Sequence, residues 1–293
     1  MKKKEKTLIR KCNITDMFFC KINTCFKSIA DWCVRRSMLC FAALFVFSLM
    51  LKLLVHLLDP VIGRDAALYC HIAKVWSEGS SFADIPKEYL PDVGWLPPLL
   101  FFLMKCGMAA GFSATTVGWC INIVCGTLCT LAGYGIALEA TKNKKIALIS
   151  AAFFAVHPGI TGLSVEIQRD AVYLCLIGFV IWFALAGFNR KNIFLWCASG
   201  VFCSLSLLTR YETFELLPLV AFFLLAAVCC RKLSWKNAAL YAFAFYLFCA
   251  GSFYAAVHGM ETPQIVERYQ KYFTGKSNKV QKQYATPQME EIR

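Results

Sequence analysis

Residues 38–58 read MLCFAALFVFSLMLKLLVHLL, an apolar run whose single charged side chain is Lys52. A helix needs about 20 mostly apolar residues to cross the hydrocarbon core of a bilayer, and this run has that length before Asp59-Pro60 ends it. Six more blocks follow at residues 117–138, 146–164, 171–188, 192–208, 213–230 and 238–257. His157-Pro158-Gly159 breaks the third near its end, and the fifth and sixth are short and carry Ser or Pro. The expected fold is all-α: a polytopic membrane protein with about seven transmembrane helices.

Composition agrees. Hydrophobic residues make up 58% and charged residues 17% of the 293, with a mean hydropathy of +0.55. Soluble domains run near roughly 45–50% and 25%. With the apolar residues gathered in long blocks, this balance excludes a disordered chain, a disulfide-stapled secreted domain and a typical water-soluble enzyme.

Charge decides the one ambiguous stretch, residues 96–112, which opens with Pro97-Pro98 and carries Lys105 in its middle. Cytoplasmic loops carry an excess of Lys and Arg. With 96–112 on the membrane surface and the N-terminus inside, the inner segments hold 18 basic and 4 acidic residues, and the outer ones 12 and 14. Were the stretch to cross, the basic turns at 142–145, 190–191 and 231–236 would all fall outside. The expected organisation is a basic cytoplasmic segment at 1–37, a membrane domain at 38–257 with an outer loop at 59–116, and a polar outer tail at 258–293. The protein is expected as a multi-pass protein of the cell (inner) membrane. Its net charge of +13 then reports orientation and implies no nucleic-acid partner. The N-terminal patch of Lys11, Phe18, Phe19, Lys21, Phe26, Lys27, Trp32, Arg35 and Arg36 reads as an amphipathic anchor attracted to anionic membrane lipid. The first apolar run starts too far from Met1, and is too long, for a cleaved signal peptide.

Of the 16 cysteines, most fall inside the apolar blocks, where Cys acts as a small soft apolar residue. Cys12, Cys20, Cys25 and Cys33 show no zinc spacing, and the four histidines are scattered.

Chemistry is expected at the outer face. The outer loop starts Gly63-Arg64-Asp65-Ala66-Ala67-Leu68-Tyr69, and Leu68, Ile72, Val75 and Trp76 line one face of a surface helix ended by Glu78-Gly79. Asp65 and Tyr69 lie one turn apart. Asp65 reads either as a functional carboxylate or as an N-terminal acid favoured by the helix dipole. Glu166 and Asp170 lie one turn apart at the mouth of the fourth block. They suit a divalent cation or proton transfer, or form an exposed cap flanking Arg169. Arg210, in Leu208-Thr209-Arg210, suits a phosphate or an acidic neighbour, or simply snorkels to the surface.

The order of these features resembles the GT-C glycosyltransferases, polytopic enzymes that use polyprenyl-phosphate sugars, and most nearly the protein O-mannosyltransferases and lipid A aminoarabinose transferases. Asp65 and Tyr69 on the first outer helix, Pro97-Pro98-Leu99 opening a second, Asp170 heading the fourth span and Leu208-Thr209-Arg210 closing the fifth carry the resemblance, which covers roughly residues 40–275. Ala66 stands where the family often has a second acid, and Leu96 where a Lys or His usually precedes the proline pair. Family members generally continue into further spans, and this chain reads as a minimal member, a fragment or an inactive remnant.

The resemblance implies two surface helices in the first outer loop and transfer of a sugar from a lipid-phosphate donor to a glycan, lipid or protein acceptor, with inversion at the anomeric carbon. It implies Asp65 as general base and Asp170, with Glu166, positioning a divalent metal or the acceptor. Arg210, with Arg64 or Arg268, would bind the departing phosphate, and Tyr69 would orient Asp65 or stack on the sugar. A lipid-linked sugar transporter or flippase and a non-catalytic membrane scaffold are the rival readings. A transporter would call for ionisable groups or broken helices near the bilayer midplane.

Overall fold

In the computed structural model, which describes residues 28, 31–60, 63–79, 82, 96–260, 262, 265 and 266, every regular element among those residues is a helix. The N-terminal patch up to Lys27 and the tail beyond residue 266, including Arg268, lie outside the described residues.

The first crossing helix, α1 (Ser37–Leu58), turns its polar side chains inward. Its buried residues are Ser37, Ser48 and Lys52, while Val46, Phe47, Met50, Leu54 and Leu57 are exposed. That is the reverse of a soluble helix and what hydrocarbon solvent demands, since lipid solvates Leu and Phe but not an ammonium group. Ser48, Lys52 and His56 recur every fourth residue and form one stripe. They face α4 (Ala114–Thr141), which runs antiparallel to α1. Lys52 Nζ donates to Ser48 Oγ at 2.7 Å, Ser48 Oγ lies 3.0 Å from Thr130 Oγ1, and the His56 ring rests 4.4 Å from Trp119. Gly126 opens the notch that admits the lysine. A Cβ there would lie 2.7 Å from Ser164 Cβ and 3.2 Å from Lys52 Cε.

The third block folds as two helices, α5 (Lys144–Val156) and α6 (Pro158–Val165), bent by 47°. Pro158 has no N–H to continue α5 and suits the first turn of α6. His157 Nδ1 caps that turn by accepting from the Ile160 amide at 3.3 Å. The chain continues through α7 (Arg169–Arg190), α8 (Ile193–Leu207), a short 3-10 helix (Tyr211–Glu215), α9 (Leu216–Cys229) and α10 (Trp235–Gly259).

Helices α1, α4, α7, α10 and the 3-10/α9 unit (Tyr211–Cys229) are long and apolar enough to cross a membrane, and the bent α5–α6 pair makes a sixth. The fifth block departs from the expected length: α8 has 15 residues, about 22 Å. With residues 208–210 it nevertheless runs alongside α7 from end to end. The Asn192 amide donates to Gly187 O at 3.1 Å, Ser199 Oγ donates to Val180 O at 2.9 Å, and Arg210 reaches Asp170 at the far end. On its other side α8 packs closely on α10, where the Gly200 backbone abuts that of Phe245 and Cys249.

One end of the bundle is basic. Lys142, Lys191 and Arg231 follow helix ends there with φ of 55°, 51° and 56°, and a cation beside the last carbonyls suits the helix dipole. Asn143, Asn192 and Ser234 then cap the next helix. Glu139, 4% exposed, receives Arg190, Lys142 and Asn189, joining the ends of α4 and α7.

At the opposite end, α2 (Arg64–Ser77) and α3 (Leu99–Ala109) form a covering layer. The 11 residues of α3 span about 16 Å, too short to cross. Tyr69 meets Phe101 edge-on at 5.3 Å, Lys105 Nζ sits 4.9 Å over the Trp76 ring, and the Leu99 amide donates to Leu208 O at 3.0 Å. Ile72, Leu100, Phe101, Met104, Ile167 and Leu208 are fully buried beneath this layer.

The fit at Gly126 is testable. Gly126→Val drives methyl groups into Ser164 and Lys52, and overpacking of this kind costs about 1–3 kcal/mol. Thermal unfolding in detergent should show a clear loss for Gly126→Val and almost none for Gly162→Ala, where a Cβ meets nothing within 4 Å.

Candidate functional site

Three helix starts and one helix end bring charged residues to the end of the bundle that α2 and α3 cover. Gly63, extended at φ −65° and ψ 165°, leads into α2, placing exposed Asp65 in its first turn, where the dipole favours an acid. Arg64 opens the same helix, but its side chain lies outside the described residues. Val165 ends α6, and Glu166 follows in extended conformation, its carbonyl accepting from Asn122 Nδ2 at 2.9 Å. The Glu166 carboxylate accepts from Gln168 Nε2. Asp65 and Glu166, with Gly63, Ala66 and Gln168, line one cavity of about 220 Å³.

Beside this cavity, Asp170 lies in the first turn of α7 and is ion-paired with Arg210. The Arg210 guanidinium also has Glu212 at 3.4 Å and the Tyr173 ring centroid at 5.6 Å. The turn carrying it is pinned from both sides. The Arg210 amide donates to Ser206 O at 2.9 Å, and the fully buried Thr213 hydroxyl donates to Arg210 O at 2.9 Å.

Arg169 joins the two parts. Its Nε donates to Tyr69 Oη at 3.3 Å and its guanidinium lies 5.8 Å from the Tyr69 ring centroid. Tyr69 is 5% exposed, so its ring belongs to the α2–α3 packing while its hydroxyl meets the site. Three groupings thus lie at this end: Asp65 and Glu166 lining the cavity, Arg169 on Tyr69, and Asp170 paired with Arg210, with Glu166, Arg169 and Asp170 carried by the same 166–170 turn.

Arg169, Gln168 and Asn122 are the members that sequence reasoning passed over. Arg169 stood in the quoted turn as a neighbour of two acids, and its aromatic partner is 100 residues away, beyond any local pattern. Burial pushes the thiol of Cys70, next to Tyr69, above the usual cysteine range.

Asp170 is ion-paired with Arg210 and Glu166 lines the cavity with Asp65; among the described residues no group of three His, Cys, Asp or Glu side chains is placed to hold a metal ion. What the patch offers is an exposed carboxylate facing a cavity, fit to accept a proton, and a guanidinium about one-third exposed, fit to bind an oxyanion.

Comparison with known proteins adds two findings. The family described as dolichyl-phosphate-mannose-protein mannosyltransferase matches residues 96–254, more than half of the chain. That range contains Glu166, Asp170 and Arg210 and begins after Asp65 and Tyr69. A dolichyl-phosphooligosaccharide-protein glycotransferase 2 of Archaeoglobus fulgidus is 28% identical over 151 residues, 51% of this chain. The match covers 21% of that relative's length.

The Asp170–Arg210 pair is only partly screened by protein, so its contribution should be modest. A double-mutant cycle of Asp170→Asn and Arg210→Gln, read by thermal unfolding, should give a coupling of about 0.5–1 kcal/mol. A value indistinguishable from zero would show that the two side chains do not hold each other in solution.

Proposed function

The chain belongs to the dolichyl-phosphate-mannose-protein mannosyltransferase family, and from that premise we propose that it is a membrane glycosyltransferase moving a sugar from a polyprenyl-phosphate donor to an acceptor hydroxyl. The observation that carries this reading is the patch itself. A carboxylate pair around a cavity stands beside a guanidinium, all at one end of a helical bundle.

Asp65 takes the proton of the acceptor hydroxyl as its oxygen attacks the anomeric carbon. The bond from that carbon to the phosphate oxygen breaks, the configuration inverts, and polyprenyl phosphate departs with its charge held by Arg210. Glu166 and Gln168 orient the acceptor in the cavity, and Arg169 adds positive charge beside the phosphate. The prenyl tail lies against the bundle, where an apolar cleft of about 290 Å³ opens between α9 and α10, lined by Leu207, Phe214, Leu217, Tyr246, Cys249, Ala250 and Phe253. Leu207 and Phe214 flank the Arg210 turn, so a tail in this cleft brings its phosphate toward the guanidinium. The acid-rich end faces away from the cytosol and the basic turns face it, as the positive-inside rule requires.

A second reading, transport of a lipid-linked sugar, is favoured by the bent α5–α6 span and by buried Lys52. The two differ in product: an enzyme leaves sugar on the acceptor, and a transporter moves the intact donor between leaflets.

Purified protein supplied with radiolabelled polyprenyl-phosphate mannose and a pool of glycan, lipid and peptide acceptors should release free polyprenyl phosphate. Asp65→Asn should lower that release by about 10²–10⁴-fold, with expression and melting temperature unchanged. Full activity in Asp65→Asn would end its assignment as base. Movement of uncleaved donor across vesicles, without release, would favour transport.

A further inference from the structure

At the basic end of the bundle a deep apolar groove runs between α1 and α5, and we propose that it holds one acyl chain of an anionic phospholipid whose headgroup sits at Lys145. The groove encloses about 610 Å³, within the range of ligand-sized sites. Two helical faces form its walls: Cys40, Ala43, Leu44 and Phe47 of α1, and Lys145, Leu148, Ile149 and Ala152 of α5. On each helix these positions follow the i, i+3, i+4, i+7 spacing of a single face. Ala43 and Ala152 make the groove deep, and Phe47 and Ile149 at its lips are 49% and 69% exposed. Both helices belong to membrane crossings, so the groove opens to hydrocarbon, and its occupant there must be apolar.

The end of the groove nearest the basic turns says which apolar molecule fits. Cys33 and Val34 line it, with Lys145. Just outside, the Arg36 guanidinium lies 5.6 Å over the Trp32 ring, and an exposed Trp with a cation marks the headgroup level of a bilayer. Residues 31–36 and 139–145 carry Arg35, Arg36, Lys142, Lys144 and Lys145 against Asp31 and Glu139. Asp31 holds Lys145 at 2.8 Å and Glu139 is taken up by Lys142 and Arg190. Positive charge remains in excess at the mouth of an apolar slot, which favours an acyl lipid whose headgroup is net negative over one whose phosphate charge is cancelled by its own cation.

The test uses the full-length purified protein in detergent. It is exposed to an equimolar mixture of phosphatidylglycerol and phosphatidylcholine with matched acyl chains, and the most tightly retained adduct is identified by native mass spectrometry. The expected adduct is phosphatidylglycerol. Lys145→Gln, a change at a half-exposed side chain that leaves the fold alone, should weaken the preference about five-fold, the electrostatic worth of one lysine near an anionic headgroup. Ala43→Trp, or the milder Ala152→Leu, should fill the slot and remove the adduct. Equal retention of the two lipids, or an adduct indifferent to both slot-filling changes, would overturn the proposal. So would two other outcomes. Loss of a dimer on filling the slot would make a second copy the occupant, and a gain of lipid on deleting residues 1–27 would assign the slot to that segment.

Discussion

An ammonium group cannot be left in hydrocarbon, and the placement of Lys52 organises much of the molecule. Its charge is met by Ser48 on the same helix, which leans on Thr130 of α4, and its alkyl stem fills the gap left by Gly126 beside Ser164. The cost of exposing such a group to lipid sets the rotation of α1, and the stripe of Ser48, Lys52 and His56 sets its register against α4. The same region leads to the site: Glu166, which lines the cavity with Asp65, follows Ser164 by two residues.

The two ends of the bundle are built by different rules. At the basic end, tight turns pair a left-handed Lys or Arg with an Asn or Ser that caps the next helix, and Glu139 gathers Arg190, Lys142 and Asn189. The acid there is taken up in closing the structure, and the surplus is positive. At the other end the turns at 166–170 and 208–212 hold charges that remain partly exposed, under a lid formed by α2 and α3. Membership of the mannosyltransferase family is consistent with chemistry at that second end, since Glu166, Asp170 and Arg210 all fall within the matched residues.

The apolar blocks made the helical fold legible from the sequence, and Pro158 made the bend in the third block legible as well. The surface placement of residues 96–112 rests on charge, and the 11 residues of α3 are short for a crossing helix. Less was visible in α8, whose close backbone contact with α10 at Gly200 is a property of two helices that neither displays alone. The inward turn of Lys52 was equally hidden, because a lone lysine in an apolar run does not announce its partners. At the site, the nearness of Asp170 and Arg210 rested on resemblance, and the Tyr69–Arg169 link was out of reach because no periodicity spans 100 residues.

The Asp170–Arg210 ion pair has a further consequence. In the free protein Asp170 takes up part of the donor capacity of the guanidinium, and the remainder stays open to solvent. An oxyanion arriving at Arg210 therefore competes with the carboxylate, and to the extent that it wins, Asp170 is released as a hydrogen-bond acceptor.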